Sequence, residues 1–199
     1  MLDTPLGRYQ RDLQNDGFLE DPAQRLGIER LQQLFDELVA RNQSQRSFWS
    51  SWLPWRSPPE PVKGVYLWGG VGRGKTYMMD VFYESLPFPQ KMRTHFHRFM
   101  RRVHGELTRL KGEKNPLDKV ADALAEEAQV ICFDEFFVTD ITDAMILGNL
   151  LEALFARGVT LVATSNIEPD GLYKDGLQRV RFLPAIALLK RHLEVLNID

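Results

Sequence analysis

The sequence predicts an α/β fold in three layers, with a parallel sheet carrying helices on both faces. Three observations predict it. Residues 63–68 read as a buried strand, residues 69–76 as a glycine-rich loop, and residues 77–83 as a helix, so strand, loop and helix follow one another. Residues 129–135 hold four consecutive apolar side chains and then two carboxylates, which reads as a buried parallel strand with polar groups at its C-terminal end. Residues 159–163 repeat the buried-strand pattern after a further helical stretch.

The loop is Gly69-Gly70-Val71-Gly72-Arg73-Gly74-Lys75-Thr76, a complete G-x-x-x-x-G-K-T phosphate loop. Its glycines let the backbone wrap closely and aim N–H groups at phosphate oxygens. The N-terminus of the following helix adds partial positive charge. In this motif Lys75 reaches the β- and γ-phosphates and the Thr76 hydroxyl ligates Mg²⁺, so the expected cofactors are ATP and Mg²⁺. A glycine-rich turn with a chance Lys-Thr pair would explain the letters but not the strand and helix that flank them.

Length and composition bound the rest. The chain has 199 residues, 44% hydrophobic and 26% charged, which suits one globular domain with at most a small appendage. A net charge of −2 exerts no global pull toward nucleic acid or an anionic membrane. The single cysteine, Cys132, sits in an apolar run and reads as a small buried hydrophobe, so there is no disulfide framework. No signal pattern opens the chain, and no apolar run approaches the ~20 residues of a membrane helix. A cytoplasmic protein is the expectation, with peripheral membrane attachment left open.

The elements follow in order. Residues 1–20 read as a short helix or arm. Asp21-Pro22 is a helix start, an N-cap followed by proline at the first helical position. Leu31, Leu34, Phe35 and Leu38 share a face of this helix, which is expected to run to about Asn42. Residues 47–61 then combine Trp49, Trp52 and Trp55 with four prolines and form an irregular loop. That loop suits closure over a nucleotide base, contact with a partner or a membrane surface, or simple anchoring to the body. The expected organisation is an N-terminal helical arm and linker over 1–60 and a nucleotide-binding core over 61–199.

Residues 91–97 alternate as a strand, with His95 and His97 on one face. No further metal ligands accompany them, so metal binding is rejected; they read first as exposed or hydrogen-bonded strand histidines, with a polar sensor near the γ-phosphate as the second reading for one of them. Phe99, Val103, Leu107 and Leu110 mark a helix closed by Gly112, and Pro116 opens another through Leu117, Val120, Leu124 and Ala128. Residues 91–114 are basic and residues 118–143 mostly acidic, either solvated faces or surfaces that meet across neighbouring subunits.

The carboxylates at the end of the 129–135 strand carry the chemistry. In open α/β sheets, ligands bind at the C-terminal ends of the strands. Asp134 is placed to hold Mg²⁺ and Glu135 to orient and deprotonate an attacking water. Asp140 caps a helix through Met145, Leu150, Leu151, Leu154 and Phe155 that ends at Gly158. After the strand at 159–163, Asn166 arrives at the level of the phosphates, where it would hold the water together with Glu135. Arg179, first, and Arg181, second, are candidates for an arginine finger that stabilises γ-phosphate charge, against the alternative of plain surface arginines. The last helix carries Ile186, Leu189 and Leu193.

This order of elements resembles the AAA+ class of P-loop NTPases, with residues 69–76 as Walker A, residues 130–135 as Walker B and Asn166 as sensor 1. It resembles more closely the ZapE-like family of cell-division ATPases and its mitochondrial relatives. The strings that carry the resemblance are residues 63–76, 95–100, 133–145, 164–166 and 176–186. It spans roughly residues 20–199.

The resemblance implies Mg-dependent ATP hydrolysis by a homo-oligomer with an arginine finger in trans. It further implies action on FtsZ filaments at the division ring in the cytoplasm. AAA+ domains also carry a fifth strand and a helical lid, and the sequence is expected to stop before either forms. In the strand order 5-1-4-3-2 that would leave the phosphate-loop strand at an unpaired edge, giving weak ATP binding, poor hydrolysis and reduced stability. Alternative readings are a helicase-loader-like ATPase acting with nucleic acid, supported only by the basic segment 91–114, and a nucleotide-gated scaffold.

Overall fold

A computed structural model describes residues 3–15, 20–48 and 62–199. The tryptophan-rich loop lies, from residue 49 onward, outside the described residues. Five strands, β1 (Gly64–Trp68), β2 (Lys91–His95), β3 (Val130–Asp134), β4 (Thr160–Ser165) and β5 (Leu193–Asn197), form one parallel sheet in the order β2-β3-β4-β1-β5. The helices are α1 (Pro5–Asp12), α2 (Pro22–Phe48), α3 (Lys75–Ser85), α4 (Phe96–Arg109), α5 (Pro116–Glu127), α6 (Ile141–Ala156) and α7 (Leu183–His192).

Alternation along the strands sorts the apolar side chains into two layers of core. Val65, Leu67, Val130, Cys132 and Val162 pack with α1, α2 and α3. Tyr66, Ile131, Phe133, Leu161 and Ala163 point the other way and pack with α4, α5, α6 and α7. The three-layer α/β arrangement is therefore as the sequence predicts. The strands are near-continuous apolar runs because both sheet faces are covered. Ile28, Leu31, Leu34, Phe35 and Leu38 of α2 join the same core cluster as β1 and α3. No helix among the described residues is long and apolar enough to cross a membrane.

Local chemistry starts the helices where the sequence places them. The Asp21 carboxylate accepts from the amides of Ala23 (2.8 Å) and Gln24 (3.3 Å). The Asp140 carboxylate accepts from Thr142 (2.6 Å) and Asp143 (3.3 Å). These bonds satisfy donors that an α-helix leaves unpaired in its first turn. The Asp140 carboxyl is accordingly held below its ordinary range, chiefly by its bonds to Thr142.

Two expectations are corrected. The fifth strand is present: β5 pairs in parallel with β1, Gly64 opposite Leu193 through Trp68 opposite Asn197, and the Ile198 amide donates to the Trp68 carbonyl at 2.9 Å. The phosphate-loop strand is thus interior, paired with β4 on one side and β5 on the other, with no exposed edge to weaken binding. Leu193 misled because it lies four residues after Leu189 and extends the apolar stripe of α7. The helix instead ends at His192, and Leu193 enters the sheet with extended backbone.

The second correction concerns residues 91–97. β2 stops at His95, and Phe96 begins α4. His97 is therefore an exposed helical residue, and the two histidines share no strand face. The apolar positions Phe96, Phe99, Met100 and Val103 form a helical stripe that overrides the period-two reading, and all four are buried. Phe96 packs on Phe133 and Phe136, with ring centroids 5.7 and 4.3 Å apart.

Candidate active site

All strands run the same way, so their C-terminal ends lie along one edge of the sheet. The phosphate loop leaves β1 there, Asp134 ends β3, and Asn166 follows β4. The pairing register sets Trp68 opposite Ser165 and His95 opposite Asp134. The sheet thus gathers residues that the chain spreads over about 100 positions, from 69 to 166.

The loop is shaped by its backbone. Gly72 and Gly74 have φ of +83° and +79°, a region other residues adopt at a cost. Gly74 is also hemmed in, since a Cβ there would stand 2.7 Å from Nε2 of Gln24. Lys75 donates to the carbonyls of Gly69 and Gly70, each at 2.6 Å, so its ammonium lies against the loop itself. Burial lowers the Lys75 pKa and the nearby Asp199 carboxylate opposes that shift. Asp199 accepts from the Gly70 amide at 2.6 Å and from Nε of Arg73 at 3.2 Å. Val71 is 90% exposed at the tip of the loop.

The loops after β3 and β4 are tied together below the site. The Thr164 hydroxyl accepts from the Glu135 amide at 3.3 Å, and the Thr164 carbonyl accepts from the Phe136 amide at 2.7 Å. The Ser165 hydroxyl donates to the Phe136 carbonyl at 2.7 Å and accepts from the Ile167 amide at 3.1 Å. Tyr66 completes the tie by donating to the Ile167 carbonyl at 2.8 Å. Glu135 takes a left-handed φ of 53°, and its carboxylate is 80% exposed. That carboxylate stands 3.8 Å from Nδ1 of His95, a nitrogen with no hydrogen-bond partner among the described residues. Asn166 is exposed at the same edge.

Asp134 is not free. Arg93 donates Nε to Oδ2 at 2.7 Å and Nη2 to Oδ1 at 3.2 Å, and its Nη1 bonds Asp80 of α3. Burial would lower the Arg93 pKa, but the bonds to Asp134 and Asp80 outweigh it and raise it. Sequence reading missed Arg93, Asp80, Thr164 and Asp199. The one available signal was the outward position of Arg93 on β2, which shares the alternation of His95.

The two candidate finger arginines differ. Arg179 donates Nη2 to the carbonyls of Asp170 (2.6 Å) and Leu172 (3.4 Å), and its Nε is buried. Arg181 is exposed, and among the described residues its side chain bonds only the Gln178 side chain, at 3.0 Å. Both sit in a single 3₁₀ turn before α7, next to the exposed Leu177 and Val180.

The donor set fits a hard divalent cation. Thr76 offers a hydroxyl and Asp134 a carboxylate, both oxygen ligands. No group of three or more His, Cys, Asp or Glu side chains is placed to hold a metal among the described residues. Such an ion would share its shell with phosphates and water, as Mg²⁺ does at nucleotide sites.

Comparison with known proteins identifies the family. The family model of the AFG1-like ATPase matches residues 3–199. Cell division protein ZapE of Escherichia coli K12 is 51% identical over 206 residues, covering 98% of this chain and 54% of that protein. The chain therefore spans about half the length of this relative. Among solved structures, DnaI superposes with a TM-score of 0.59 at 16% identity, covering 92% of this chain and 89% of that one. The DnaC helicase loader superposes with a TM-score of 0.54 at 14% identity, covering 92% and 95%. At such identity the structural likeness bears on the fold alone.

Proposed function

The chain belongs to the AFG1-like ATPase family, and we propose that it binds ATP with Mg²⁺ and hydrolyses it at the C-terminal edge of the sheet. The observation that carries this reading is the meeting of the phosphate loop, Asp134, Glu135 and Asn166 along that edge.

Thr76 and Asp134 would hold Mg²⁺, which would neutralise negative charge on the phosphates. Loop amides and Lys75 bind the phosphates, which requires Lys75 to exchange the carbonyls of Gly69 and Gly70 for phosphate oxygens. Glu135 accepts a proton from the attacking water, and its exposed carboxylate is accessible to that water. Asn166 orients the same water from the next strand.

The finer reading is a homo-oligomer in which a neighbour supplies an arginine finger. Arg181 suits this role better than Arg179, because the Arg179 guanidinium is taken up by its own loop. We further place the activity on FtsZ filaments at the division site in the cytoplasm, a reading supported by the likeness to a cell division protein along nearly the whole chain. A second reading, action with nucleic acid, draws on the exposed Arg98 and Arg101 of α4, which have no ion pair among the described residues.

The test is ATP turnover and FtsZ sedimentation for wild type and Glu135→Gln. Loss of a general base lowers turnover by on the order of 10²–10⁴-fold, with nucleotide binding retained. Unchanged turnover would remove Glu135 from the mechanism. Nucleotide-dependent, salt-sensitive binding of single-stranded DNA without any FtsZ response would favour the second reading.

A further inference from the structure

Arg93 occupies an unusual place. It lies on β2, one strand beyond β3, and its guanidinium reaches over to the carboxylate read above as a metal ligand. The side chains of Arg93 and Asp134 are 20% and 15% exposed, whereas Asp80 is 45% exposed. The contact with Asp134 is a two-point fork, and the contact with Asp80 uses the remaining terminal nitrogen. One cation therefore balances two anions, one from the sheet and one from the helix that follows the phosphate loop. Asp80 stands four residues after Thr76 on α3, so both project from the same side of that helix.

A carboxylate gripped at both oxygens by a guanidinium has most of its electrostatic pull on a second cation cancelled. Without Arg93, the two carboxylates would form a doubly negative pair, one member of which lies on the side of α3 that carries Thr76. With it, the cluster carries a single negative charge.

We propose that Arg93 is a positioning residue that guards Asp134 against free divalent metal and yields it only to a metal–nucleotide complex, with Asp80 holding the guanidinium as it withdraws. The inference rests on the reading of Asp134 as a metal ligand. It assigns Asp80 a role opposite in sign to that of Arg93: Arg93 opposes the metal at Asp134, and Asp80 draws Arg93 away.

The test uses the whole chain and Mn²⁺ alone as the probe. Free Mn²⁺ is counted by electron paramagnetic resonance in the absence of nucleotide. Removing one positive charge from a half-buried acidic pair should tighten Mn²⁺ binding by on the order of tenfold in Arg93→Gln. Asp80→Asn should weaken it and raise the Mg²⁺ concentration at which a fluorescent ADP analogue binds. Folding is checked by thermal melting, and Arg93→Lys, which keeps the charge but not the fork, serves if Arg93→Gln does not fold; it should tighten Mn²⁺ binding by a smaller factor. Equal or weaker Mn²⁺ binding in the folded Arg93 variant overturns the proposal, as does an Asp80→Asn change in the same direction as Arg93→Gln. Asp134→Asn separates the two layers of argument. If it leaves the Mg²⁺ dependence of analogue binding unchanged, the ligand reading fails and the proposal with it. If it abolishes that dependence while Arg93→Gln does nothing, only the proposal fails.

Discussion

The backbone amide of Gly70 donates to Oδ1 of Asp199 at 2.6 Å, which sets a carboxylate against the phosphate loop. An anion at this position is attracted by the same amides and helix terminus that would attract a phosphate. A nucleotide bound as proposed would therefore compete with Asp199 for one loop. Asp199→Asn keeps an oxygen for the Gly70 amide but removes the charge. It should tighten ATP binding about tenfold, worth ~1.4 kcal/mol, as read by calorimetric titration. Unchanged or weaker affinity would show that the carboxylate does not oppose the phosphates.

The arginines before α7 should separate by phenotype. Arg181→Ala removes an exposed guanidinium and should lower turnover by roughly 10³-fold or more if it acts as a finger in trans. Mixing it with an equal amount of Glu135→Gln should restore part of the activity, because each variant supplies what its neighbour lacks. Arg179→Ala should instead act on stability, since it releases the carbonyls of Asp170 and Leu172. A full loss of turnover in Arg179→Ala at unchanged melting temperature would return the finger to Arg179.

β5 gives a test of the sheet itself. Ile198 is fully buried in the cluster formed with α2 and α3, just beyond the strand. Ile198→Ala should destabilise the chain by about 2–5 kcal/mol through lost burial and a residual cavity. Urea unfolding reads this directly. A neutral result would mean that residues 193–199 do not dock beside β1.

His192 predicts a pH dependence. Its ring stacks on Phe155 at 4.0 Å, and burial, helped by Arg191, lowers its pKa below the ordinary 6.5. The unfolded chain therefore takes up this proton first as pH falls. The contribution of His192 to stability is flat above about pH 6.5, declines as pH drops through that value, and levels off below the folded-state pKa. His192→Gln should flatten that part of the stability profile. An unaltered slope between pH 7 and 5 would assign the dependence to other groups.

Much of the site was legible because its parts are contiguous in the chain. Gly69 to Thr76 carry their chemistry within eight positions, and residues 130–135 within six. Strand polarity then follows from the strand, loop and helix order, and it carries Asp134 and Asn166 to the phosphate-loop edge. The errors fell where two local patterns overlapped. Phe96 satisfied both a strand and a helix period, and Leu193 both a helical stripe and a strand start.

The sequence by itself determined the three-layer α/β class, the position of the phosphate loop, and the two carboxylates at the end of a buried strand. These depend on short-range periodicity and on residues adjacent in the chain. The tertiary structure decided what those groups face. It brought Arg93 to Asp134, 41 residues away, and Asp199 to Gly70, 129 residues away. It also turned Arg179 onto its own loop and placed β5 beside β1. Contacts at such separations arise from strand pairing and side-chain reach across the sheet edge, and no local pattern encodes them.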